Sequence, residues 1–202
     1  MTVLQNRGVV SAFANAYFQA TGTSIVGISC SQTNTQISEW LPGSNKWNDL
    51  LERISSCEYF LENSSEYSIG HVYMLFCQGA ANALDSYETY YSDLNYFVDS
   101  VLTQTDVEKI FVIRIGNKET EPDRNDIVMQ VQNDLCTARE DMVLVSTRFA
   151  EFGNFEMMKD SQYYTQVEYN LVGTEAGLNT AYYTLTGVQP RIYDYEFNDY
   201  YE

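Results

Sequence analysis

The sequence predicts an α/β fold, a three-layer sandwich built on a mostly parallel, flavodoxin-like sheet. Short apolar runs without polar alternation recur along the chain, and longer segments with apolar residues at helical spacing separate them. Strands that are apolar throughout are typical of parallel sheets, and right-handed crossovers then place helices on both faces. With 202 residues, 45% of them apolar, the chain is long enough to bury one such core.

The first half of the chain supplies two helices and two strands. Residues 9–21 predict a helix that ends at Gly22, and residues 24–29 (Ser-Ile-Val-Gly-Ile-Ser) predict a short buried strand. A second helix follows from apolar residues at helical spacing: Trp47, Leu50, Leu51 and Ile54. The apolar run 72–76 predicts the next strand, which a Gln-Gly pair ends.

The second half continues the alternation. Residues 85–88 (Asp-Ser-Tyr-Glu) have the form of a capping box, and they begin a long helix with an apolar stripe from Tyr87 to Val101. The remaining elements are two strands, at 109–115 and 142–146, and two helices, one with Ile127, Val131 and Leu135 on one face and one over residues 166–183.

We divide the chain into one domain, residues 1–187, and a C-terminal tail, residues 188–202. The tail is acidic and rich in tyrosine. A disordered tail rarely carries so many aromatic residues, so we expect this one to dock as an extended strand on a neighbouring element.

The charge balance narrows the classes of partner. The net charge is −17 with only 11 Lys and Arg residues, so nucleic acid and anionic lipid would be repelled. The 17 tyrosines favour contact with a glycan or a protein through flat amphipathic rings. No run approaches the roughly 18 apolar residues of a membrane span, so we expect no membrane contact.

The cysteines and the N-terminus indicate a compartment. Four cysteines lie in separate predicted elements without CxxC spacing, which argues against a zinc site and a disulfide framework. We expect them to be small buried residues, and we expect neither metal nor cofactor. The first residues lack a charged segment followed by an apolar one, so we expect no signal peptide and synthesis in the cytoplasm.

A few residues could carry chemistry at the sheet edge. Cys30 and Ser31 follow the first predicted strand and Cys77 follows the second, at the carboxyl edge where α/β proteins bind ligands. His71, the only histidine, is a conceivable base, but it opens its strand and should lie solvated at the opposite edge. An acidic loop could hold a cation or simply cap the next helix: Glu119, Glu121, Asp123 and Asp126.

Three segments carry a family resemblance. Residues 24–43, which include Thr-Gln-Ile-Ser-Glu-Trp-Leu-Pro-Gly, are similar to a strand followed by Gly-Gly-Thr-x-Ile-x-Glu-Trp. Residues 76–82 (Phe-Cys-Gln-Gly-Ala-Ala-Asn) are similar to Trp-His-Gln-Gly-Glu-x-Asp, and residues 160–173 are similar to the segment with the catalytic Asp and His. The chain thus resembles the SGNH hydrolases, in the carbohydrate-esterase branch that includes sialate O-acetylesterases and acetylxylan esterases.

The resemblance implies a site and also its loss. It places the triad aspartate at Asp160 and oxyanion or ligand contacts at Thr33, Asn34, Gln78, Gly79 and Asn82, but Tyr163 stands where the family has its histidine. The nucleophilic serine of the family follows a first strand that should precede this sequence. We therefore expect a sheet without its usual first strand and a degraded active site.

Three hypotheses follow. The chain is a non-catalytic SGNH-like module, a structural or glycan- or protein-binding subunit of a larger assembly such as a virion, with a partner or a second copy covering the sheet edge. Alternatively, it is a carbohydrate O-acetyl esterase whose nucleophile comes from elsewhere. A third, an unrelated flavodoxin-like binding protein, lacks the expected GxGxxG phosphate turn.

Overall fold

The structure is a computed structural model that describes residues 8–118, 121–153, 157–159 and 163–201. The helices in these ranges are α1 (Val10–Thr21), α2 (Asn45–Glu62), α3 (Tyr87–Gln104), α4 (Asp126–Ala138), α5 (Phe149–Gly153) and α6 (Gln166–Thr186). The strands are β1 (Tyr73–Phe76), β2 (Lys109–Ile113), β3 (Met142–Ser146), β4 (Tyr193–Asp194) and β5 (Asp199–Tyr200). Two 3₁₀ turns span Ile37–Trp40 and Ala80–Asn82.

The main sheet has the order β1-β2-β3. β1 and β2 are parallel, with Tyr73 opposite Lys109 and Phe76 opposite Val112. α3 connects β1 to β2 and α4 connects β2 to β3, as βαβ units require. β3 is buried along its whole length and β2 from its second residue onward, whereas β1 at the edge is mostly half-buried. The predicted α/β class is confirmed.

One predicted strand is absent from the described chain. Residues 24–29 have no regular secondary structure, and Ile25, Val26 and Ile28 are exposed. A backbone carbonyl of this segment, that of Ser29, accepts a hydrogen bond from Arg53 Nη1 on α2 at 3.2 Å. β-propensity depends on pairing with a neighbouring strand, and the apolar run alone was not sufficient to form one.

Two boundaries also differ from the sequence-based expectation. The N-cap of α3 is Ser86, whose hydroxyl accepts from Thr89 N at 3.2 Å, because the Asp85 carboxylate is already bonded to Asn82 Nδ2 at 2.6 Å. α6 continues to Thr186 and ends where Gly187 takes a left-handed conformation, with φ of 70°. In the described chain, no helix is apolar over a length that would cross a bilayer.

The chain divides into two compact units. Unit 1 comprises residues 1–25, 113–123 and 144–202, and unit 2 comprises residues 26–112 and 124–143. The division into a domain over residues 1–187 and a tail stays a prediction.

Unit 2 has an aromatic and aliphatic core between its helices and strands. Trp47 on α2 meets Phe97 on α3 edge to face, with ring centroids 6.1 Å apart, and Phe76 at the end of β1 lies 6.0 Å from the same ring. Aliphatic residues from α3 and α4 complete this core: Leu94, Val98, Val101, Val128, Val131 and Leu135. The helical periodicity seen in the sequence is therefore satisfied by burial.

Unit 1 is organised by the pairing of α1 with α6. A Cβ on Gly173 would lie 2.3 Å from the Val9 carbonyl oxygen, and one on Gly177 would lie 2.5 Å from that of Phe13, so both glycines permit a close helix approach. The C-terminal tail docks in this unit, as expected, but as a short antiparallel hairpin of β4 and β5. Ile192 and Asp194 of the hairpin are buried.

Candidate functional site

Gln78, just beyond the carboxyl end of β1, is held on every side. Its Nε2 donates to the Thr35 carbonyl at 3.0 Å and to Asn82 Oδ1 at 2.7 Å. Its Oε1 accepts from the Tyr90 hydroxyl at 3.3 Å, and its backbone carbonyl accepts from Gln132 Nε2 at 2.7 Å. The amide therefore has both a donor and an acceptor role within unit 2.

Gly79 is the residue on which this geometry depends. Its φ of 144° is a backbone conformation that side chains with a Cβ rarely adopt. An added Cβ would lie 2.6 Å from Val128 Cγ1, 3.0 Å from the Tyr90 hydroxyl and 3.1 Å from Gln132 Nε2. The turn after β1 thus needs glycine for both conformation and space.

Asn82 completes the network from the following 3₁₀ turn, with only 1% of its surface exposed. Its Oδ1 accepts from Ile37 N at 3.0 Å as well as from Gln78, and its Nδ2 donates to Asp85 Oδ2 at 2.6 Å. We call Gln78, Gly79, Asn82, Tyr90 and Gln132 the amide network. It fixes the segment 35–37 to the segment 78–85, and its polar atoms are directed at one another; ligand binding by Gln78, Gly79 and Asn82 stays a prediction.

Thr33 and Asn34 form an exposed turn in the same unit. Asn34 has φ of 57°, in the left-handed region that glycine favours and asparagine tolerates. Thr35 closes the turn, since its hydroxyl donates to the Gln32 carbonyl at 2.9 Å and accepts from Trp40 Nε1 at 2.9 Å. The turn therefore keeps a glycine-like backbone although its sequence has no glycine.

The segment with the predicted triad aspartate belongs to unit 1. Asp160 lies outside the described residues. Tyr163 is half-buried, and its carbonyl accepts from Lys159 N at 2.8 Å. The next residue, Tyr164, is buried, with its ring stacked on Phe149 at 4.8 Å. Tyrosine at position 163 therefore lies beside an aromatic core two residues before the N-cap of α6.

His71 lies where the sequence placed it, before the amino end of β1. Its Nδ1 is 2.9 Å from Glu108 Oε2, its ring stacks on Tyr73 at 5.6 Å, and its side chain is largely exposed. Cys77 follows the carboxyl end of the same strand. Six residues at about 3.3 Å each separate His71 from Cys77 by about 20 Å, so the imidazole is far from that end of β1.

The other candidate groups do not assemble into a reactive site. Only Cys136 of the four cysteines is buried, so the expectation for the others was wrong; Cys30 and Cys57 are half-buried and Cys77 is exposed. Burial raises the pKa of the Cys30 thiol, while the charge of Arg53 acts in the opposite direction. The raised pKa weakens this thiol as a nucleophile at neutral pH. Glu119 of the acidic loop lies outside the described residues, and the described part of the chain contains no His, Cys, Asp and Glu cluster suited to a metal.

A groove beside α2 has a volume of about 560 Å³. It is lined by Ile28, Asp49, Glu52, Arg53, Ser56, Cys57 and Phe60. None of the predicted site residues contributes to it.

Sequence reasoning missed an ionic joint in unit 1. Arg114 follows β2, and its guanidinium donates to both Asp194 oxygens, at 2.5 and 2.6 Å, while both side chains are buried. Thr147 follows β3 and binds the same hairpin: its hydroxyl donates to the Tyr193 carbonyl at 2.8 Å and accepts from Tyr195 N at 3.3 Å. The C-terminal hairpin therefore covers the carboxyl ends of β2 and β3, and no local motif signals a pair 80 residues apart.

A half-buried acid, Glu175, lies near this ion pair. Ser146, the last residue of β3, donates its hydroxyl to Glu175 Oε2 on α6. Burial raises the pKa of Glu175, and the nearby Glu151 adds to this, while the Ser146 hydrogen bond and the Arg148 charge act in the opposite direction. Arg148 is itself bonded to Glu151 at 2.7 Å and lies over the rings of Phe152 and Tyr195.

Comparison with known proteins identifies a family for this chain. The model of the family described as "carbohydrate esterase, sialic acid-specific acetylesterase" matches residues 3–173. Among solved structures, a protein from Arabidopsis thaliana has a similar fold, with a TM-score of 0.62 and 20% identity. The similarity covers 85% of this chain but only 66% of that one, and it shows the fold alone. None of the curated proteins matches the chain.

Proposed function

We propose that this chain, which belongs to the carbohydrate esterase family of sialic acid-specific acetylesterase, is a non-catalytic member that serves as a structural or binding subunit of a larger assembly. The observation that carries this proposal is the position of His71, the only histidine in the sequence. It lies before the amino end of β1 and is paired with Glu108.

The chemistry of ester hydrolysis explains why this position matters. A serine nucleophile needs a base that accepts a proton near neutral pH and returns it to the leaving group. The imidazole of histidine is the side chain suited to that role, and at the family's histidine position this chain has Tyr163. His71 is about 20 Å from the carboxyl end of its own strand. The described residues therefore offer no imidazole for catalysis at that end of β1.

The C-terminal hairpin supports the same proposal from unit 1. Ligands of open α/β sheets bind outside the carboxyl ends of the strands. Here Arg114 and Thr147, which follow β2 and β3, are both bonded to hairpin residues. This part of the edge is filled by the chain itself, which suits a scaffold better than a hydrolase.

The binding role rests on composition. Seventeen tyrosines in a chain of net charge −17 favour contact with glycans or with proteins, and disfavour nucleic acid and anionic membranes. The edge strand β1 is a further place for a protein partner, because edge strands pair with other chains. A virion is one assembly that we propose for such a subunit.

A second candidate function is carbohydrate O-acetyl ester hydrolysis with a nucleophile supplied from elsewhere. The family match over residues 3–173 favours it, and so does the Asn34 turn, whose left-handed backbone is compatible with a loop that donates N–H groups to an oxyanion. In this case the chain would contribute the scaffold, and the serine would come from a partner polypeptide or from an unrecognised residue of this chain.

Hydrolysis of p-nitrophenyl acetate and of O-acetylated sialic acid by the purified chain tests both functions. We expect rates equal to those of heat-denatured protein. Turnover that a serine-directed organophosphate abolishes would refute the non-catalytic proposal and support the second candidate.

A pair of variants sharpens the assay. Tyr163→His restores an imidazole at the family's histidine position, and Tyr59→His places one on an exposed tyrosine of α2 as the matched control. We expect neither variant to hydrolyse the esters above the blank. Activity in the first variant alone would show that every other catalytic group is present, and the non-catalytic proposal would then be limited to the loss of one residue.

A further inference from the structure

α6 has two apolar faces, and α1 covers only one of them. The covered face consists of small residues that allow close approach: Val172, Gly173, Ala176, Gly177 and Thr180. A surface helix normally has one apolar stripe and a polar opposite side. The opposite side of α6 does not follow this rule.

The second face is a narrow apolar row, which we call the α6 stripe: Val167, Leu171, Leu178, Tyr182 and Leu185. Between 38% and 65% of each residue's surface is exposed. At 100° per residue these five positions fall within about 60° of one another, and they extend over about 27 Å of helix. The spacing of Leu171, Leu178, Tyr182 and Leu185 is seven, four and three residues, as along the contact seam of paired helices.

The stripe is also free of charge. α6 contains two charged residues, Glu168 and Glu175, and both are engaged elsewhere. The Glu168 carboxylate is buried and accepts from the Thr165 hydroxyl, and Glu175 accepts from the Ser146 hydroxyl. The α6 stripe is therefore a contact surface without charge in a chain of net charge −17.

This lack of charge selects the occupant. Two copies of an acidic chain repel each other wherever their carboxylates meet. A two-fold contact places the same residues on both sides, so any charge within it would face its like. The α6 stripe avoids this penalty. A membrane surface is a poor alternative, because helices that lie on membranes carry Lys and Arg beside their apolar face, and α6 has none.

We propose that the α6 stripe is the interface through which two copies of this chain pair, with their α6 helices antiparallel about a two-fold axis. Leu178 lies near the middle of the stripe and meets its own counterpart, while Leu171 of one copy lies beside Leu185 of the other. This pairing does not depend on whether the chain hydrolyses esters.

The size of the stripe sets the expected affinity. A single helix of about 30 Å buries less than the roughly 800 Å² per partner of a standard interface. We therefore expect a dissociation constant in the micromolar range. Sedimentation equilibrium of the full chain from about 1 to 100 µM should show a monomer that converts to a dimer.

Two glutamate variants locate the interface. Leu178→Glu places a carboxylate on each side of the axis, and we expect the dissociation constant to rise at least about 100-fold. Leu84→Glu is the matched control, because Leu84 is 91% exposed and lies on unit 2, off the stripe. Circular dichroism of both variants confirms that they are folded.

A mixing experiment tests self-pairing without relying on loss alone. Leu178→Lys should fail to form a homodimer in the same way, but an equimolar mixture of the Lys and Glu variants should recover the dimer through opposite charges at the axis. A wild-type chain that stays monomeric at about 100 µM overturns the proposal, whatever other protein then binds the stripe. So does a dimer that Leu84→Glu and Leu178→Glu weaken equally, or a mixture that fails to recover it.

Discussion

Each of the two units joins distant segments of the chain by polar contacts, but the chemistry of these contacts differs. In unit 2 the amide network joins segments 35–37 and 78–85 through neutral donors and acceptors around Gln78 and Asn82. In unit 1 the C-terminal hairpin is joined to the end of β2 by a buried ion pair, Arg114 with Asp194. Both joints connect residues far apart in sequence. The ion pair and Asn82 are almost inaccessible to water, and Gln78 is half-buried.

The difference lies in what each joint costs when it is incomplete. A buried amide that loses a partner costs about 1–3 kcal/mol. A buried charge that loses its counter-charge costs about 3–5 kcal/mol, and an apolar pair of similar volume is often equally stable. A single substitution in the amide network should therefore cost less stability than one in the ion pair. The ion pair tolerates only the replacement of both residues together. The same difference orders the expected effects of mutation.

The largest effect should come from Asp194→Ala, which leaves Arg114 charged and buried. We expect a loss of about 3–5 kcal/mol in the free energy of unfolding, measured in urea. The double variant Arg114→Met/Asp194→Leu should recover most of it, because no charge is then buried.

The exposed contact of His71 with Glu108 is the control for this loss. Its side chains are 65% and 47% exposed, so His71→Ala should change stability by less than about 0.5 kcal/mol. If the single Asp194 variant were as stable as the double variant, the ion pair would not be shielded from water.

The second effect tests the packing of the amide network. Gly79→Ala must place a Cβ 2.6 Å from Val128 Cγ1 at a φ of 144°, so we expect a loss of about 2–3 kcal/mol in urea unfolding. Gly43→Ala shares a positive φ, 92°, but meets no atom within 4 Å, and it should cost only about 1 kcal/mol. Equal losses would mean that conformation alone, rather than the surrounding side chains, requires glycine at position 79.

The third prediction adds a carboxylate to the amide network. Asn82→Asp replaces the Nδ2 that donates to Asp85 Oδ2 at 2.6 Å, so two carboxylates face each other in a buried place. We expect a loss of about 2 kcal/mol at pH 7. Repulsion and burial raise the folded-state pKa of the introduced carboxyl, so the loss should shrink as the pH falls through that raised pKa toward the ordinary value near 3.9.

Asn82→Ala separates the charge effect from the loss of hydrogen bonds. It removes the acceptor for Ile37 N and the donor to Asp85 without adding a carboxylate. Its loss of stability should therefore change little in the same acid range. If both variants show the same pH dependence, the repulsion between carboxylates is not its cause.

The elements that sequence reasoning predicted well are those defined by local periodicity. β3 lies at residues 142–146 as predicted, and α3 and α4 bury most of the apolar residues that defined them. Tyr87 and Tyr91 are half-buried, and Ile127 is exposed. The strand predicted at residues 24–29 was wrong, because this apolar run has the composition of a strand but no neighbouring strand to pair with. Position in the sheet is a tertiary property, and propensity does not contain it.

The candidate site divides in the same way. The Gln78-Gly79 motif led to a real cluster. Asn82 lies four residues after Gln78, and all three residues belong to one network. The Arg114–Asp194 joint escaped prediction because the two residues come from segments 80 positions apart with no shared pattern. The docking of the tail was predicted from its aromatic content, whereas its anchor is an ionic pair that composition does not reveal.

The smallest effect concerns Glu175 of unit 1. Burial raises the pKa of Glu175, so folding favours its neutral form. That contribution is fully present below the ordinary value of 4.5 and is lost as the pH rises through the raised folded-state pKa. Glu175→Gln is neutral at every pH and can still accept from Ser146. It should therefore be more stable than the wild type at pH 7, by up to about 1 kcal/mol, and equal to it below pH 4.5.

Glu39→Gln gives the opposite trend and makes the comparison decisive. A backbone N–H of Gln36 and the Lys46 ammonium lower the pKa of Glu39, so its contribution is present above the ordinary value and lost as the pH falls through the lowered one. Unfolding curves at several pH values should therefore show the variant less stable than the wild type at pH 7 and level with it in strong acid. If Glu175→Gln followed this same trend, Arg148 and Ser146 would be stabilising the Glu175 carboxylate more than burial destabilises it. Unit 1 would then hold a second satisfied charge, and the contrast between the two joints would extend beyond Arg114 and Asp194.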